Sequence, residues 1–242
     1  MRAITVCVEY DDLLAITLPR AARHFERICV VSTPTDRATA DVVAAVENAE
    51  LFTTDVFYAR GASFNKGAAI EQAFDCVGRS GWLCLFDSDI VFPPVAVLPQ
   101  ARLTIGKLHC PRRRLCVDPH EYSDEADWRQ WPIFGDFEHA GYCQIFHADD
   151  PVLTTRPWHP TGWANASSDS WFQAKWSRHN KVWLPFDAWH VLHLGEPGRN
   201  WHGRCTRRLD GTLPQHAAER ALAQEQMREL RRQHGYDKER LG

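Results

Sequence analysis

The sequence predicts an α/β protein with a mostly parallel central sheet flanked by helices. Apolar runs rich in β-branched residues, typical of buried strands, alternate with helix-like segments over the first hundred residues. Strands that alternate with helices form parallel sheets through right-handed crossovers. The chain has 242 residues, 44% of them apolar and 24% charged, which suits one large α/β domain with a helical appendage.

The elements of the first hundred residues follow from these patterns. The predicted strands are 4–10, 27–32, 51–58, 82–86 and a short continuation at 90–92. The predicted helices are 13–25, 37–48 and one that opens at Phe64-Asn65-Lys66-Gly67. The loop 32–36 contains residues that can cap the second helix.

The second half is less regular. Strands are predicted at 108–117, 141–147 and 191–195, and a helix at 168–178. A helix at 215–235 carries many arginines and glutamates, and we expect it to pack on the domain through Ala221, Leu222 and Leu230.

Composition excludes some classes of protein. The net charge of −3 provides no global basic field that would demand nucleic acid. No window reaches the roughly 18–20 apolar residues of a membrane span. Because the first residues already form a strand-like run, we expect no signal peptide, a cytoplasmic location and reduced cysteines. Cys110, Cys116 and His120 could contribute to a zinc site, although their spacing fits no common ligand pattern.

Asp87-Ser88-Asp89 is the motif that carries most of the chemistry. It follows the apolar strand 82–86 directly, and two carboxylates cannot face a hydrocarbon interior without a large cost. Ligands of open parallel sheets bind outside the carboxyl ends of the strands. A divalent cation with oxygen ligands, Mn²⁺ or Mg²⁺, would neutralise both acids and the diphosphate of a sugar donor.

The order of motifs resembles the GT-A fold of nucleotide-sugar glycosyltransferases of the family 2 type, over residues 3 to 204. The matching segments are Val8-Glu9-Tyr10, Val30-Val31-Ser32-Thr33, Phe64-Asn65-Lys66-Gly67, Leu85-Phe86-Asp87-Ser88-Asp89, Ser168-Asp169-Ser170-Trp171-Phe172 and His193-Leu194-Gly195. The resemblance implies a catalytic domain at 1–204, with a nucleotide-sugar-binding half at 1–100 and an acceptor-binding half at 101–204. Residues 205–242 would form a C-terminal helical extension.

The resemblance also implies donor contacts. Residues that would hold the nucleoside and phosphates of a donor, expected to be a UDP-sugar, are Val8, Glu9, Tyr10, Ser32, Thr33, Asp87 and Ser88. Where many relatives carry an acid at the end of the second strand, Ser32-Thr33-Pro34 stands here. Lys66, at a helix start beside a glycine, could reach a phosphate or be a solvated surface lysine. The turn 197–204, with Trp201 and Arg204, could close over the diphosphate or be a plain loop.

Metal and base residues complete the predicted site. Asp89 would be the main metal ligand, and Asp87 would contact either the metal or the ribose. His193 would complete the metal site from a later part of the chain. His190 could take that role instead, and His193 could also be an ordinary core histidine. Asp169 is the candidate general base toward the acceptor hydroxyl, which implies inversion at the anomeric carbon. It could also cap the helix that follows it.

The acceptor is less defined. Trp158, Trp163, Trp171 and the stretch 141–144 could shape its side of the site. Arginines with interleaved tryptophans could bind a phosphodiester backbone; they are Arg112-Arg113-Arg114, Arg199, Arg204, Arg207 and Arg208. A hydroxymethylated base in DNA is therefore one possible acceptor, and glycans, proteins and small molecules are the others.

Two other classes of function stay open. One is a nucleotide-sugar- or carbohydrate-binding module of the same fold without turnover, against which the intact acids and histidine argue. The other is a nucleotidyltransferase, which normally has a glycine- and basic-rich loop after the first strand, where Glu9-Tyr10-Asp11-Asp12 stands here.

Overall fold

The computed structural model describes residues 1–94, 100–135, 141–162, 166, 168–185 and 187–233. Its strands are β1 (Arg2–Val6), β2 (Arg27–Ser32), β3 (Ala49–Thr53), β4 (Trp82–Asp87), β5 (Ile90–Val91), β6 (Leu108–Cys110), β7 (Arg113–Cys116), β8 (Ile133–Phe134), β9 (Cys143–His147), β10 (Lys181–Trp183) and β11 (Val191–Leu194). Its helices are α1 (Asp11–Ala21), α2 (Arg37–Ala44), α3 (Lys66–Val77), α4 (Ser168–Gln173) and α5 (Ala217–Gln233).

Seven strands form the central sheet in the order β10-β6-β9-β4-β1-β2-β3. β1 lies between β2 and β4 and is parallel to both, and β3 extends the parallel part. β9 is antiparallel to β4 and to β6, and β10 is parallel to β6. The predicted α/β class with a mostly parallel sheet flanked by helices is therefore confirmed.

A second sheet of four strands, in the order β5-β11-β7-β8, lies beyond the carboxyl end of β4. β5 follows β4 after a two-residue turn and pairs with β11, so that His193 is opposite Ile90. The Leu194 N–H donates to the Asp89 carbonyl at 2.9 Å. This pairing brings a late histidine beside an acidic motif about a hundred residues earlier in the chain.

Several predicted boundaries are wrong for local reasons. The strand predicted at 108–117 is two strands, because Pro111 and Arg112 interrupt it and β6 and β7 join different sheets. β1 ends at Val6, and Glu9 has a left-handed φ of 61°, which ends the extended run predicted to reach residue 10. The helix predicted at 168–178 ends at Gln173, and β3 ends at Thr53.

Aromatic rings pack α3 and α4 against the sheet. Phe172 lies 4.9 Å from Phe146 and 5.1 Å from Trp176, measured between ring centroids. Trp158 packs edge-on against Phe74 at 5.1 Å, and its indole N–H donates to the Leu153 carbonyl. Trp158 is therefore part of the core and not of an acceptor surface. Trp163, expected on that surface, lies outside the described residues.

The C-terminal helix docks through polar contacts, which corrects the expected apolar packing. Leu222 is 62% exposed and Ala221 also faces solvent, whereas Gln224 is buried. The Gln224 side chain accepts from the Trp201 N–H and donates to the Gly198 carbonyl. The side chain of Leu230 lies outside the described part of the helix.

Gly67, in the first turn of α3, has no room for a side chain. A Cβ there would lie 2.4 Å from the Pro160 carbonyl oxygen and 3.0 Å from the Ser168 Cβ. Gly67→Ala should therefore push α3 away from Pro160 and Ser168 and lower the free energy of unfolding by roughly 1–3 kcal/mol, measured by urea titration. Gly162→Ala, which has open space at its Cβ, is the control. Equal midpoints for both variants would contradict this packing.

Candidate functional site

The predicted acids meet in a cavity of about 360 Å³ at the carboxyl edge of the central sheet. Because β1 and β4 are adjacent and parallel, the loop after β1 and the motif after β4 emerge side by side. The cavity is lined by most of the predicted site residues: Val8, Tyr10, Lys66, Asp87, Ser88, Asp89, Asp169, His193 and Trp201. Residues from both halves of the chain thus contribute to one site.

Lys66 connects two of the acids. Its ammonium donates to Asp87 Oδ1 at 2.6 Å and to Asp169 Oδ2 at 2.9 Å. The Asn65 side chain caps α3 by accepting from the Ala68 N–H, which fixes the helix start on which Lys66 lies. Burial alone would lower the pKa of the Lys66 amine, but Asp169 and Asp87 outweigh it and raise that pKa, so the group is a cation. Its contact to a donor phosphate stays a prediction.

Asp169 lies in the first turn of α4 and is held from several sides. Lys66 binds its carboxylate, and the Gln144 side chain donates to its backbone carbonyl at 3.3 Å. The Cα of Gly141 lies so close that an added Cβ would be 2.8 Å from the Asp169 Cβ. Burial raises the pKa of the Asp169 carboxyl to about 6, against the effect of Lys66. A carboxylate with this pKa is mostly ionised at neutral pH and can accept a proton.

Asp89 and His193 form a second group of polar side chains in the same cavity. His193 Nε2 lies 3.8 Å from Asp89 Oδ1, and His193 Nδ1 lies 3.1 Å from the Gly195 carbonyl oxygen. Since a carbonyl only accepts, Nδ1 carries a proton, and Nε2 is the ring nitrogen that lies toward Asp89. Burial raises the pKa of the Asp89 carboxyl.

These two side chains fit a divalent cation. Asp89 Oδ1 is buried and has no hydrogen-bond partner among the described residues, so a bound cation would satisfy this oxygen. The Nδ1–H bond to a backbone carbonyl is the usual way a metal-binding imidazole is oriented. Within the described chain, no group of three or more His, Cys, Asp or Glu could hold a metal alone. Mg²⁺ sites in transferases commonly use one or two carboxylates and complete the shell with substrate phosphates and water.

A larger cavity of about 820 Å³ adjoins the first and shares Val8 with it. Two predicted donor contacts, Glu9 and Thr33, line it together with Tyr58, Asp36 and residues of α5. The loop after β1 contributes to both cavities, since Glu9 lines the larger one and Tyr10 the smaller one.

Asp36 lines the larger cavity but is not among the residues predicted for the site from the sequence. Its Oδ2 accepts from the Glu9 N–H at 2.8 Å and from the Thr39 hydroxyl at 2.8 Å, and its Oδ1 accepts from the Thr39 N–H. It caps α2 and lines the larger cavity. An acid near the end of β2 therefore exists, four residues after Ser32. The sequence shows this acid, but the loop 32–36 was interpreted only as a cap for the second helix.

Two predicted donor contacts lie outside both cavities. Ser32 is fully buried, and its hydroxyl donates to Asp36. Arg204 is 1% exposed; it forms a bidentate ion pair with Asp12, and its guanidinium lies 4.6 Å from the Tyr10 ring centroid. Arg204 therefore holds the loop after β1 in place and does not line either cavity.

The cysteine cluster does not assemble. Cys110 belongs to the central sheet and Cys116 to the second sheet, and the Cys116 thiol donates to the Asp118 carbonyl at 3.1 Å. His120 follows in a short turn whose side chains are not buried. Among the described residues, nothing groups these three side chains around an ion.

Comparison with known proteins identifies no family. No protein-family model and no curated protein matches the chain. The inositol-1-phosphate CTP transferase from T. maritima has a TM-score of 0.47 at 12% identity, covering 81% of this chain and 89% of its own. The 4-diphosphocytidyl-2C-methyl-D-erythritol synthase from Anaerococcus prevotii has a TM-score of 0.44 at 12% identity, covering 93% and 97%.

Mannosyl-3-phosphoglycerate synthase from Rubrobacter xylanophilus has a TM-score of 0.33 at 18% identity, covering 49% of this chain and 41% of its own. At such identities and TM-scores these likenesses show nothing about the activity of this chain. In the described part of the chain, no helix has the length and apolar character needed to cross a membrane.

The effect of each neighbouring charge on the pKa of Asp169 can be tested separately. Lys66→Met should raise the pKa of Asp169 above about 6, because the cation that favours ionisation is lost. Asp87→Asn should lower it, because a neighbouring negative charge is removed. Carboxyl ¹³C NMR titration of aspartate-labelled protein measures both shifts. A shift of the same sign in both variants would contradict the arrangement.

Proposed function

We propose that this protein is a metal-dependent glycosyltransferase that moves a sugar from a nucleotide-diphosphate sugar to an acceptor hydroxyl. One observation carries the proposal. Asp89 and His193, whose side chains lie 3.8 Å apart and would suit a cation, line the same cavity as Asp169, a carboxylate with a pKa of about 6. Transfer of a glycosyl group requires both functions: stabilisation of a leaving diphosphate and removal of a proton from the attacking hydroxyl.

The donor spans both cavities. Its nucleoside end occupies the larger cavity between the loop after β1 and the N-terminus of α2, where Asp36 can accept from ribose hydroxyls. Its diphosphate passes Val8, which lines both cavities, and reaches Asp89 and His193. The sugar then lies in the smaller cavity beside Asp169.

The transfer step needs one positioned base. Lys66 holds Asp169 Oδ2, so that Oδ1 receives the proton of the acceptor hydroxyl. The hydroxyl oxygen forms a bond to the anomeric carbon as the bond from that carbon to the diphosphate oxygen breaks and its electron pair stays on the diphosphate. Attack from the face opposite the leaving group inverts the anomeric carbon. A bound Mn²⁺ or Mg²⁺ would stabilise the negative charge of the departing diphosphate.

We propose no more about the acceptor than that it carries the attacking hydroxyl group. Several arginines considered for binding DNA are engaged within the protein. Arg114 donates to the Trp131 carbonyl, Arg208 binds Asp11, and Arg204 binds Asp12. These contacts leave less positive charge for a phosphodiester backbone, so a DNA-base acceptor stays a prediction from the sequence alone.

The reaction class is tested with a panel of nucleotide sugars, UDP-sugars first, in the presence and absence of Mn²⁺. The expected result is a Mn²⁺-dependent rise in melting temperature and slow release of nucleoside diphosphate. Asp89→Ala should lose the Mn²⁺-dependent rise, whereas Glu196→Ala, at the rim of the same cavity, should keep it. Release of pyrophosphate from a nucleoside triphosphate and a sugar phosphate would identify a nucleotidyltransferase instead. Donor binding without any turnover would identify a binding module.

The base assignment predicts a specific pH dependence. Asp169 must be ionised to accept a proton, so transfer should fall about tenfold for each pH unit below about 6 and level off above it. Asp169→Asn should bind donor with unchanged affinity and lose transfer by a factor of roughly 10² or more. Initial rates and donor affinities measured between pH 5 and 8 separate these effects. Retention of transfer by Asp169→Asn would remove the assignment.

A further inference from the structure

The wall of the larger cavity that faces Tyr58 and Asp36 comes from the C-terminal part of the chain. Gln215, His216, Glu219, Arg220 and Ala223 all line it. The helix α5 therefore completes this cavity, although it lies outside the segment that resembles glycosyltransferases. Its residues were not part of the predicted site.

Arg220 is held along the edge of its guanidinium. Nη1 donates to a Glu9 carboxylate oxygen and, at 3.1 Å, to the Arg204 carbonyl. Nη2 donates to the Tyr58 hydroxyl at 3.2 Å. Three acceptors from three separate segments thus fix the plane of the guanidinium, because hydrogen bonds of this group lie in that plane.

Gly203 lies against the same group. A Cβ added to this glycine would be 3.0 Å from Arg220 Nε, 3.2 Å from its Cζ and 3.3 Å from its Cδ. Near-equal distances to these three atoms place the glycine over a face of the group and not at its edge. Gly203 has a φ of 92°, a conformation that suits glycine. One face of Arg220 is therefore covered by backbone, while the side chain still lines the cavity.

We propose that Arg220 is a stacking platform for the nucleobase of the donor, presented by α5 through the face opposite Gly203. Guanidinium planes stack on nucleobases, and a plane held at its edge needs no ordering when the base arrives. Tyr58, 41% exposed in the same cavity, adds an aromatic ring beside this platform. The inference rests on the proposed function, since it names how the nucleoside end of that donor is recognised.

A role limited to docking α5 gives a different expectation. Lysine keeps the charge of the Arg220–Glu9 ion pair but cannot make all three edge hydrogen bonds, so a docking role predicts the same change in affinity for ligands with and without a base. Stacking needs the flat group, which lysine lacks, and predicts a loss only for ligands that carry a base. The two roles therefore separate when both kinds of ligand are compared in Arg220→Lys.

The experiment compares ligands with and without a base. Wild-type protein and Arg220→Lys are titrated calorimetrically, in Mn²⁺, with the tightest-binding nucleoside diphosphate of a UDP, GDP, ADP and CDP panel and with inorganic pyrophosphate. Stacking predicts that Arg220→Lys binds the nucleoside diphosphate roughly tenfold more weakly and pyrophosphate with unchanged affinity. Arg228→Lys, on the same helix and bonded to the Gly198 carbonyl, is the control and should match the wild type for both ligands.

Equal affinity of Arg220→Lys and wild type for the nucleoside diphosphate would overturn the inference, and so would an equal loss for both ligands. If Arg220→Lys does not fold, Tyr58→Phe removes one edge contact and keeps the ring; a smaller loss confined to the nucleoside diphosphate supports the platform, and no loss opposes it. Failure of wild-type protein to bind any nucleoside diphosphate would reject the proposed function itself, which is a distinct result.

Discussion

The site depends on one buried ammonium group. Asp87, Asp89 and Asp169 line a small cavity whose other walls are partly apolar, and three carboxylates so placed repel one another. The Lys66 ammonium binds two of them, which leaves Asp89 as the acid with an unsatisfied oxygen. The cap at Asn65 and the absence of a side chain at Gly67 place this lysine and α4 within reach of each other. Packing at the start of α3 therefore determines the charge distribution of the site.

The sequence predicted the sheet and the acidic centre because both follow from local patterns. Buried strands with helices between them can form only a few sheets, and Asp87-Ser88-Asp89 after such a strand must lie at its carboxyl edge. His193 and Asp169 were located through motif order, and the structure brings both to the same cavity. What the sequence could not show was geometry that depends on distant segments. Asp36 was predicted in a loop that caps α2, and it does cap that helix. It also accepts a hydrogen bond from the Glu9 N–H and lines a cavity together with Glu9.

The loop after β1 illustrates the same limit. Its acids seemed unsuited to a phosphate site when read alone. In the structure Glu9 binds Arg220, Asp11 binds Arg208 and Asp12 binds Arg204. All three arginines come from the C-terminal part of the chain, so Glu9 in the loop and Asp11 and Asp12 in the first turn of α1 each have a partner about two hundred residues away in the sequence. Ala221 and Leu222 do not dock α5 as expected, because Arg220 and Gln224 make contacts of this helix with the rest of the chain.

The central claim is that Asp89 and His193 hold a divalent cation against the diphosphate of a nucleotide. Pulsed electron paramagnetic resonance of Mn²⁺ bound together with a nucleoside diphosphate tests it directly. In protein labelled with ¹⁵N-histidine, the account predicts coupling of the manganese to one histidine nitrogen and to phosphorus, with the nitrogen coupling absent in His193→Gln. Manganese coupled to phosphorus but to no histidine nitrogen in the wild-type protein would contradict it.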